Sequence, residues 1–253
     1  MTGYIDAHGH LGEYGVFRVP RAGADDLVRR MDALGVARLV LSSHAAFASD
    51  YRWGNDQTAA AATAHPGRIF GYAVANPHFC GEAGAELDRC FARPGFVGVK
   101  LHPTVHDHPL DGPGYRSAWE WAERRGLPVL THFTLGERRC GAEQVRQVVR
   151  RHPGVRSLLA HLGGSGRDVL RELPALAAEL PQVWFDTAGS RHYRGMIARL
   201  VAAGMAPRLL YGSDMPFIDP GPQLGKIVFA DIAEDARAAI LGANARSLFG
   251  WEE

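Results

Sequence analysis

The stretch ADDLVRRMDALGVARLVLSS, residues 24–43, contains one complete helix–strand unit. Its first half has apolar residues at the spacing of one face of an α-helix, namely Leu27, Val28, Met31 and Leu34. Gly35 follows directly, in the position where a glycine commonly ends a helix. The run VARLVLSS is rich in Val and Leu, which is typical of a strand buried on both faces. The unit predicts a parallel sheet covered by helices.

The same alternation of strands and helices continues along the whole chain. Strand-like runs cover residues 4–8, 36–43, 68–76, 96–103, 127–133, 155–163, 182–189 and 208–214. Eight strands alternating with helices over 253 residues predict an α/β fold, a (β/α)8 TIM barrel formed as a single domain by residues 1–253. A doubly wound sheet is the alternative, but DAHGHLGEYG (6–15) lacks the G-x-G-x-x-G turn that usually follows its first strand.

The helical patterns between the strands predict the positions of several helices. Helices are predicted at residues 114–126 and 142–154, each ended by Gly or Pro-Gly. The pattern at 166–181 contains Pro174, which predicts a kinked or split helix. Residues 223–249 are expected to form one or two helices that close the barrel.

The composition argues against several classes of function. The chain is 46% hydrophobic and carries 28 basic and 27 acidic residues, so its net charge is +1 and no excess of basic charge points to nucleic acid or an anionic membrane. No apolar run approaches the roughly 20 residues of a membrane span, and the N-terminus lacks a signal-peptide pattern. We expect a cytoplasmic protein that acts on a small molecule.

Two further features concern the redox state of the cysteines and the oligomeric state of the chain. Cys80, Cys90 and Cys140 are an odd number of cysteines without a C-x-x-C spacing, so we expect reduced thiols in a reducing compartment. The aromatic and polar stretch ASDYRWGND (48–56) has the composition of a lid or of a dimer contact. A homodimer is therefore one of the oligomeric states that the sequence allows.

Polar side chains of a few types occupy the carboxyl ends of the predicted strands, where the functional residues of such barrels lie. They are His8 and His10 on the first strand, Lys100 and His102 on the fourth, His132 on the fifth, His161 on the sixth, Asp186 on the seventh and Asp214 on the eighth. A single histidine at a strand end is more often structural than a ligand. Several such groups converging from different strands need a partner, because burying them unpaired is costly. Imidazole and carboxylate ligands without thiolate suit zinc, manganese, iron or cobalt.

The spacing within the first strand supports this interpretation. His8 and His10 are two residues apart, so their side chains can both face the barrel axis. Asp6 lies two residues before His8 and is expected to point the same way. We interpret Asp6 as a structural carboxylate or as one that supports a ligand.

The sequence resembles the amidohydrolase superfamily, and within it the branch of aminocarboxymuconate-semialdehyde-decarboxylase-like enzymes and carboxylic-acid lactonases. The motifs that carry the resemblance are IDAHGHLG (5–12), GVKLHP (98–103), LTHF (130–133), LAHLGG (159–164), LYGSDMPF (210–217) and ILGANARSLFG (240–250). They extend over essentially the whole chain.

The resemblance implies a role for each matching residue. His8, His10 and His132 match three metal ligands, and Asp214 matches the aspartate that binds the metal and handles the proton of its water. His161 matches a catalytic histidine near the metal, which in relatives with two metals is a ligand of the second ion. In those relatives a carboxylated lysine on the fourth strand bridges both metals, and Lys100 stands on that strand. In other members this lysine contacts a substrate carboxylate or is structural. We favour one divalent metal, zinc by preference.

The resemblance also implies the reaction. A metal-activated water attacks the substrate, Asp214 takes the proton of the water and returns it to the leaving group, and His161 or the metal stabilises the oxyanion. This scheme predicts hydrolysis of an amide, lactone or ester. Non-oxidative decarboxylation of an aromatic or unsaturated carboxylic acid is the alternative. Hydrolysis is favoured because the decarboxylases of this branch usually carry insertions after their first two strands. The third hypothesis is that the protein is a catalytically inactive barrel that acts as a binding protein.

Substrate recognition is expected in the loops after the strands. The candidates are Lys100, His102, Asn76, Arg191 and His192, with His44, His78, Thr104, His106 and His108 as further polar loop residues. Arg191 and Arg194 in SRHYR (190–194) indicate an acidic substrate, since arginine binds carboxylates bidentately. The same arginines fit equally well at the solvent-exposed start of a helix.

Overall fold

Eight strands follow one another around the sheet in chain order, each hydrogen-bonded in parallel to the next. The computed structural model describes residues 3–16, 18–164, 168–189 and 195–251. The strands are β1 (Tyr4–Leu11), β2 (Val36–Ser43), β3 (Ile69–Val74), β4 (Phe96–Leu101), β5 (Val129–Thr131), β6 (Ser157–Leu159), β7 (Val183–Asp186) and β8 (Leu209–Leu210). All eight predicted strands are confirmed, although β3 to β8 are shorter than predicted, most clearly from β5 onward.

The barrel closes between β1 and the segment that follows β8. The amide of Ala7 donates to the carbonyl of Tyr211 over 2.9 Å, and the amide of Asp214 donates to the carbonyl of His8 over 2.9 Å. The amide of His10 donates to the carbonyl of Met215 over 2.7 Å. The chain after Leu210 thus leaves regular strand geometry while its backbone groups still pair with β1. This explains why the eighth strand is short and yet the fold is a single-domain (β/α)8 barrel.

Helices alternate with the strands as predicted. They are α1 (Ala24–Leu34), α2 (Ala45–Ala48), α3 (Tyr51–Ala64), α4 (Ala83–Phe91), α5 (Arg116–Arg125), α6 (Ala142–Arg151), α7 (Val169–Glu179), α8 (Met196–Ala202), α9 (Pro220–Val228), α10 (Glu234–Ala238) and α11 (Asn244–Phe249). A π-helical turn, Ala239–Ala243, joins α10 to α11, so the chain after β8 forms two helical runs. Pro174 lies inside α7, and the helix is not split there.

Two hydrophobic clusters form the core. The larger one lies between the strands and the surrounding helices and contains Leu27, Leu39 and Trp119. The smaller one fills the barrel interior with Ile5, Ala7, Val40, Tyr72, Leu130, Leu158 and Leu210, and Ala245 and Leu248 of α11 pack against it. No helix in the described part of the chain is both long and apolar enough to cross a membrane.

A register shift in β1 changes which of its side chains face inward. The pairing with β2 shifts by one residue between Asp6 and Gly9, so the simple alternation of sides is interrupted there. Ile5 and Ala7 belong to the interior cluster. The expectation that Asp6 points the same way as His8 is therefore wrong. Its Oδ1 instead accepts the backbone amides of His8 (3.1 Å) and Ser213 (3.0 Å), which ties β1 to the segment after β8.

A buried polar network fixes α3 and α4 beneath the end of β3. Glu86 is 2% exposed, and its carboxylate receives hydrogen bonds from Arg89 (2.8 Å) and from Asn55 Nδ2 (2.9 Å). Asn55 also exchanges side-chain hydrogen bonds with both backbone groups of Val74. The network satisfies every polar group that it buries at this point, as buried polar groups require.

We expect Glu86→Ala to lower the free energy of unfolding by about 2 kcal/mol, because it removes a buried acceptor that Asn55 and Arg89 share and leaves each with only its second partner. Glu120→Ala, at an exposed position on α5, is the matched control and should change stability little. Denaturant unfolding measures both. Equal stability of the two variants would contradict the role given to the network.

Candidate metal centre and active site

The site lies at the carboxyl ends of the strands, where the sequence placed its polar residues. His8 and His10 are on β1, Lys100 is on β4, and Asp186 ends β7. His132, His161 and Asp214 follow β5, β6 and β8. Their imidazole rings form a continuous series, with centroid distances of 5.1 Å for His8–His10, 5.1 Å for His8–His161 and 4.8 Å for His132–His161.

Asp186 determines the protonation of His8. Both residues are fully buried, and Nδ1 of His8 lies 2.9 Å from Oδ2 of Asp186. Burial opposes ionisation of Asp186, but His8 and the amide of His161 outweigh it and hold the pKa of Asp186 below its usual value. Burial, reinforced by Lys100, lowers the pKa of His8 to about 3. A neutral His8 facing a carboxylate must carry its proton on Nδ1, which leaves the Nε2 lone pair for the site.

The same carboxylate also positions His161. Oδ1 of Asp186 accepts the backbone amides of His161 and Ala188, each over 2.9 Å. Nδ1 of His161 lies 2.8 Å from the carbonyl oxygen of Ala188, and that contact requires the ring to donate from Nδ1. His161 therefore also presents its Nε2 lone pair to the site. The sequence placed Asp186 at a strand end without assigning it a role, since only the contacts across the barrel reveal one.

Asp214 is an ionised carboxylate at the edge of this cluster. Its Oδ1 lies 3.1 Å from Nε2 of His10 and 4.0 Å from Nε2 of His8. Burial opposes ionisation, but the hydrogen bond from His10 and the electrostatic interaction with His161 hold the pKa of Asp214 well below its usual range. Asp214 and His161 both have left-handed backbone conformations, with φ of 65° and 66°. Such strain in residues other than glycine is characteristic of functional sites.

The residues present fit a divalent metal. Among the described residues, His8, His161 and Asp214 each offer a ligand atom, and these three atoms lie within 4.8 Å of one another. His10 adjoins the group through Asp214, and His132 through its ring contact with His161. Neutral imidazoles, of which His8 and His161 are held by their second nitrogen, are ligands that zinc or manganese accepts together with one carboxylate.

Lys100 competes for one of these ligand atoms. Its side chain is 1% exposed, and its Nζ lies 3.0 Å from Nε2 of His8, the lone pair left free by Asp186. Burial lowers the pKa of Lys100 to about 8, against the opposing charges of Asp186 and Asp214. The Lys100–His8 hydrogen bond and metal binding by His8 use the same lone pair. They therefore exclude each other.

The residues predicted to bind substrate are distributed unevenly. His102 lies beside the cluster, its ring stacked on His132 at 4.5 Å, and its Nδ1 accepts the amide of Val105 over 3.4 Å. Asn76 instead accepts the amide of His78 (3.0 Å) at the start of the short 3-10 helix Pro77–Phe79. Arg191 and His192, with Arg194, lie outside the described residues. Phe217, which the sequence analysis gave no role, has its ring 5.0 Å from that of His10.

An eight-stranded parallel barrel with imidazoles and carboxylates gathered at the carboxyl ends of its strands defines a class of metal-dependent barrel enzymes. A family model for amidohydrolases matches residues 5–251, and the chain belongs to that family. A search of curated proteins found no match.

Several solved structures share the fold over nearly their whole length. A 2,6-dihydroxybenzoate decarboxylase from Rhizobium is 21% identical, with a TM-score of 0.76 and 99% of each chain covered. A dihydroxybenzoic acid decarboxylase from Polaromonas sp. JS666, solved with bound manganese and the inhibitor 2-nitroresorcinol, is 19% identical, with a TM-score of 0.78 and 99% of this chain and 97% of that chain covered. A protein from Pseudomonas putida proposed to be a 2-pyrone-4,6-dicarboxylic acid hydrolase is 24% identical, with a TM-score of 0.77 and 100% and 99% covered.

These comparisons show a metal-dependent enzyme of the amidohydrolase superfamily, with decarboxylases and a proposed hydrolase among its structural neighbours. Because the decarboxylases are covered almost completely, chain length offers no support for the preference for hydrolysis over decarboxylation.

Asp186→Asn is expected to weaken metal binding by about 10- to 100-fold. An asparagine can still accept the two backbone amides, but its NH2 group faces His8, which would have to accept at Nδ1 and carry its proton on Nε2. Metal titration of the apoprotein measures the effect. Asp32→Asn, in an exposed ion pair with Arg68, is the control and should bind metal like the wild type. Unchanged affinity of Asp186→Asn would refute this role of Asp186.

Gly189→Ala is expected to abolish metal binding by the site. Gly189 has φ of 61°, and a Cβ there would lie 2.6 Å from Oδ2 of Asp214 and 3.0 Å from Nδ1 of His161. Gly126→Ala is a closely matched control, since Gly126 has φ of 63° but nothing within 4 Å of a Cβ. Both variants should lose about 1–2 kcal/mol of stability to backbone strain. Only Gly189→Ala should also lose metal, and equal metal content in both would contradict the close packing of the site.

Proposed function

We propose that the protein hydrolyses an amide, lactone or ester bond in a small carboxylated molecule, using one divalent metal, zinc by preference. The observation that carries the proposal is Asp214. Its carboxylate is ionised, hydrogen-bonded to His10 and within 4.8 Å of the ligand atoms of His8 and His161, and its side chain is 14% exposed. A general base must combine ionisation, access and proximity to the reacting water in this way.

Different residues of the chain perform different steps of the proposed reaction. Asp214 accepts a proton from the attacking water and delivers it to the leaving group. His161, held by Asp186 and the carbonyl of Ala188, directs its Nε2 at the metal position, where it would serve as a ligand. When bound, a divalent metal supplies Lewis acidity that acidifies water and polarises a carbonyl group.

The charges of the site favour a carboxylated substrate. Asp186 and Asp214 are anionic, Lys100 is cationic, and burial keeps His8, His10, His102 and His132 neutral. A divalent cation would leave the site with a net positive charge, which one anionic group can balance. Released from His8, the Lys100 ammonium is a buried donor for a substrate carboxylate, and His102 stands beside it as a neutral donor.

A single metal is the simpler arrangement. The amine of Lys100 is engaged by His8, and its role as a cation for substrate needs the uncarboxylated form. We expect about one metal ion per chain by elemental analysis. We also expect an intact mass without an added carboxyl group on Lys100. A second equivalent together with that mass increase would replace this proposal by a two-metal site.

Decarboxylation of an aromatic or unsaturated carboxylic acid is the second candidate. Lys100 can hold the carboxylate of such a substrate, and Asp214, after it accepts a proton from water, can pass that proton to the carbon that loses carbon dioxide, so both residues serve this reaction too. The decarboxylases among the similar structures support the same candidate.

A substrate panel tests the proposal. Metal-loaded protein should hydrolyse at least one member of a panel of lactones, esters and amides that carry a carboxylate. Carbon dioxide release from aromatic or unsaturated carboxylates, without hydrolysis, would establish the second candidate instead. Metal-loaded protein that turns over neither group would refute both, in favour of a binding protein.

Asp214→Asn should reduce kcat/KM on the hydrolysed substrate by about a hundred- to ten-thousand-fold, since the amide cannot accept the proton of the water. The assay uses saturating metal, because Asp214 is also a candidate ligand. Asp231→Asn, at an exposed position, should retain wild-type turnover. Equal turnover by wild type and Asp214→Asn would remove Asp214 from the mechanism.

A further inference from the structure

His44 is a buried imidazole in the wall of the site that the proposed chemistry leaves unused. It follows β2 directly and is 6% exposed. Its ring lies among four other rings, with centroid distances of 4.0 Å to Phe217, 4.4 Å to Tyr14, 4.6 Å to His10 and 5.5 Å to Phe47. It is thus in contact with a candidate metal ligand, His10.

Neither ring nitrogen of His44 has a hydrogen-bond partner among the described residues, and both atoms are buried. A neutral imidazole carries one donor and one acceptor, so both functions are unsatisfied. Leaving a buried polar atom unpaired is costly, and most buried polar atoms in proteins have a partner. His10 beside it, by contrast, is engaged by Asp214. A ligand that supplies the missing partners would explain why a polar ring occupies this aromatic wall.

A cavity adjoins His44, which is one of its lining residues. It has a volume of about 250 Å³ and lies between the loop after β1 and helices α2 and α3. Its walls include the rings of Tyr14, His44 and Trp53, with Glu13 and Gln57 among the polar residues that line it. An apolar cavity of roughly 150 Å³ already accepts benzene, so this volume suits one ring with a polar substituent.

We infer that His44 and this cavity form a specificity subsite for the end of the substrate remote from the cleaved bond, and that the subsite selects a flat ring bearing a hydroxyl or carbonyl group. The inference rests on the proposed function. The polar substituent pairs with the imidazole of His44, while the ring lies against Tyr14 and Trp53. The other end of the substrate reaches Asp214 past His10.

The position of Tyr14 sets a condition on binding. The nitrogens of His44 are covered in this structure, and the ring of Tyr14 lies directly against the imidazole. An occupant must displace a ring that covers them, and Tyr14 both contacts His44 and lines the cavity. Tyr14 stands in the loop after β1 between Gly12 and Gly15, where a Cβ on either glycine would meet nothing within 4 Å. The loop therefore has free space on this side into which it can move.

Two variants of His44 and paired substrates test the inference. The pairs are carboxylated lactones or esters that differ only in a ring hydroxyl remote from the cleaved bond. Wild type should prefer the hydroxylated member by about tenfold or more in kcat/KM, because a site built to hydrogen-bond a hydroxyl rejects the analogue without it. His44→Phe should reduce the preference to a ratio of about one in kcat/KM, because it removes the nitrogens that pair with the hydroxyl. His44→Gln, which keeps a donor and an acceptor, should retain part of the preference.

The melting temperature separates this role from a structural one. His44→Phe removes two unpaired polar atoms from an aromatic wall, so it should melt at the same temperature as wild type or higher. His65→Phe, at a partly buried histidine paired with Asp25 at the end of α3, is the control and should keep the wild-type substrate preference. An undiminished preference in His44→Phe would overturn the inference.

A binding measurement makes the test independent of turnover. Titration of metal-loaded protein with para-hydroxybenzoate and with benzoate, followed by tryptophan fluorescence, should show tighter binding of the hydroxylated ligand to wild type only. Trp53→Phe should lose most of the signal, since Trp53 lines the cavity. Equal affinity of wild type for both ligands would overturn the subsite. Discrimination in binding without any hydrolysis would retain the subsite and refute the proposed function alone.

Discussion

The hydrogen bond between Asp186 and Nδ1 of His8 is the interaction on which the rest of the site depends. Both side chains are fully buried, and the carboxylate is satisfied by His8 and by the amides of His161 and Ala188. One carboxylate at the end of β7 thereby fixes the tautomer of a β1 histidine and the turn that carries His161. A buried charge this well paired is stable, whereas the removal of any partner would leave it uncompensated.

The backbone around this carboxylate is held in conformations that side chains normally avoid. His161, Leu162 and Asp214 all have positive φ angles, and Gly189 leaves the space in which the side chains of His161 and Asp214 meet. The closed barrel makes such strain tolerable because its strands and their hydrogen bonds define the positions of these turns from both sides. The geometry of the site thus depends on the rigidity of the barrel. Its polar residues come from separate strands whose carboxyl ends lie at the same end of the barrel, here called the rim.

The prediction of the fold succeeded where the sequence pattern is local. Each of the eight strands is a short apolar run, and α1, α5 and α6 show helical spacing that ends at glycine or near Pro-Gly. The direction of Asp6 was wrong, because a one-residue register shift in β1 arises from pairing with β2 and has no local signature. Strand lengths after β4 were overestimated for a similar reason. Apolar residues continue past the point where the chain turns away from the sheet, as Leu162 and Tyr211 do.

By itself the sequence determined the barrel, the rim on which function lies and the kinds of side chain that meet there, because period and composition are properties of neighbouring residues. Only the tertiary structure decided which atoms pair: Asp186 with His8, Lys100 with the other nitrogen of His8, and nothing among the described residues with His44. These relations join residues that are 178 and 92 positions apart in the chain, or depend on an absent partner. They follow from closing the barrel, which brings distant strand ends within hydrogen-bonding distance, and no local pattern specifies which atoms then meet.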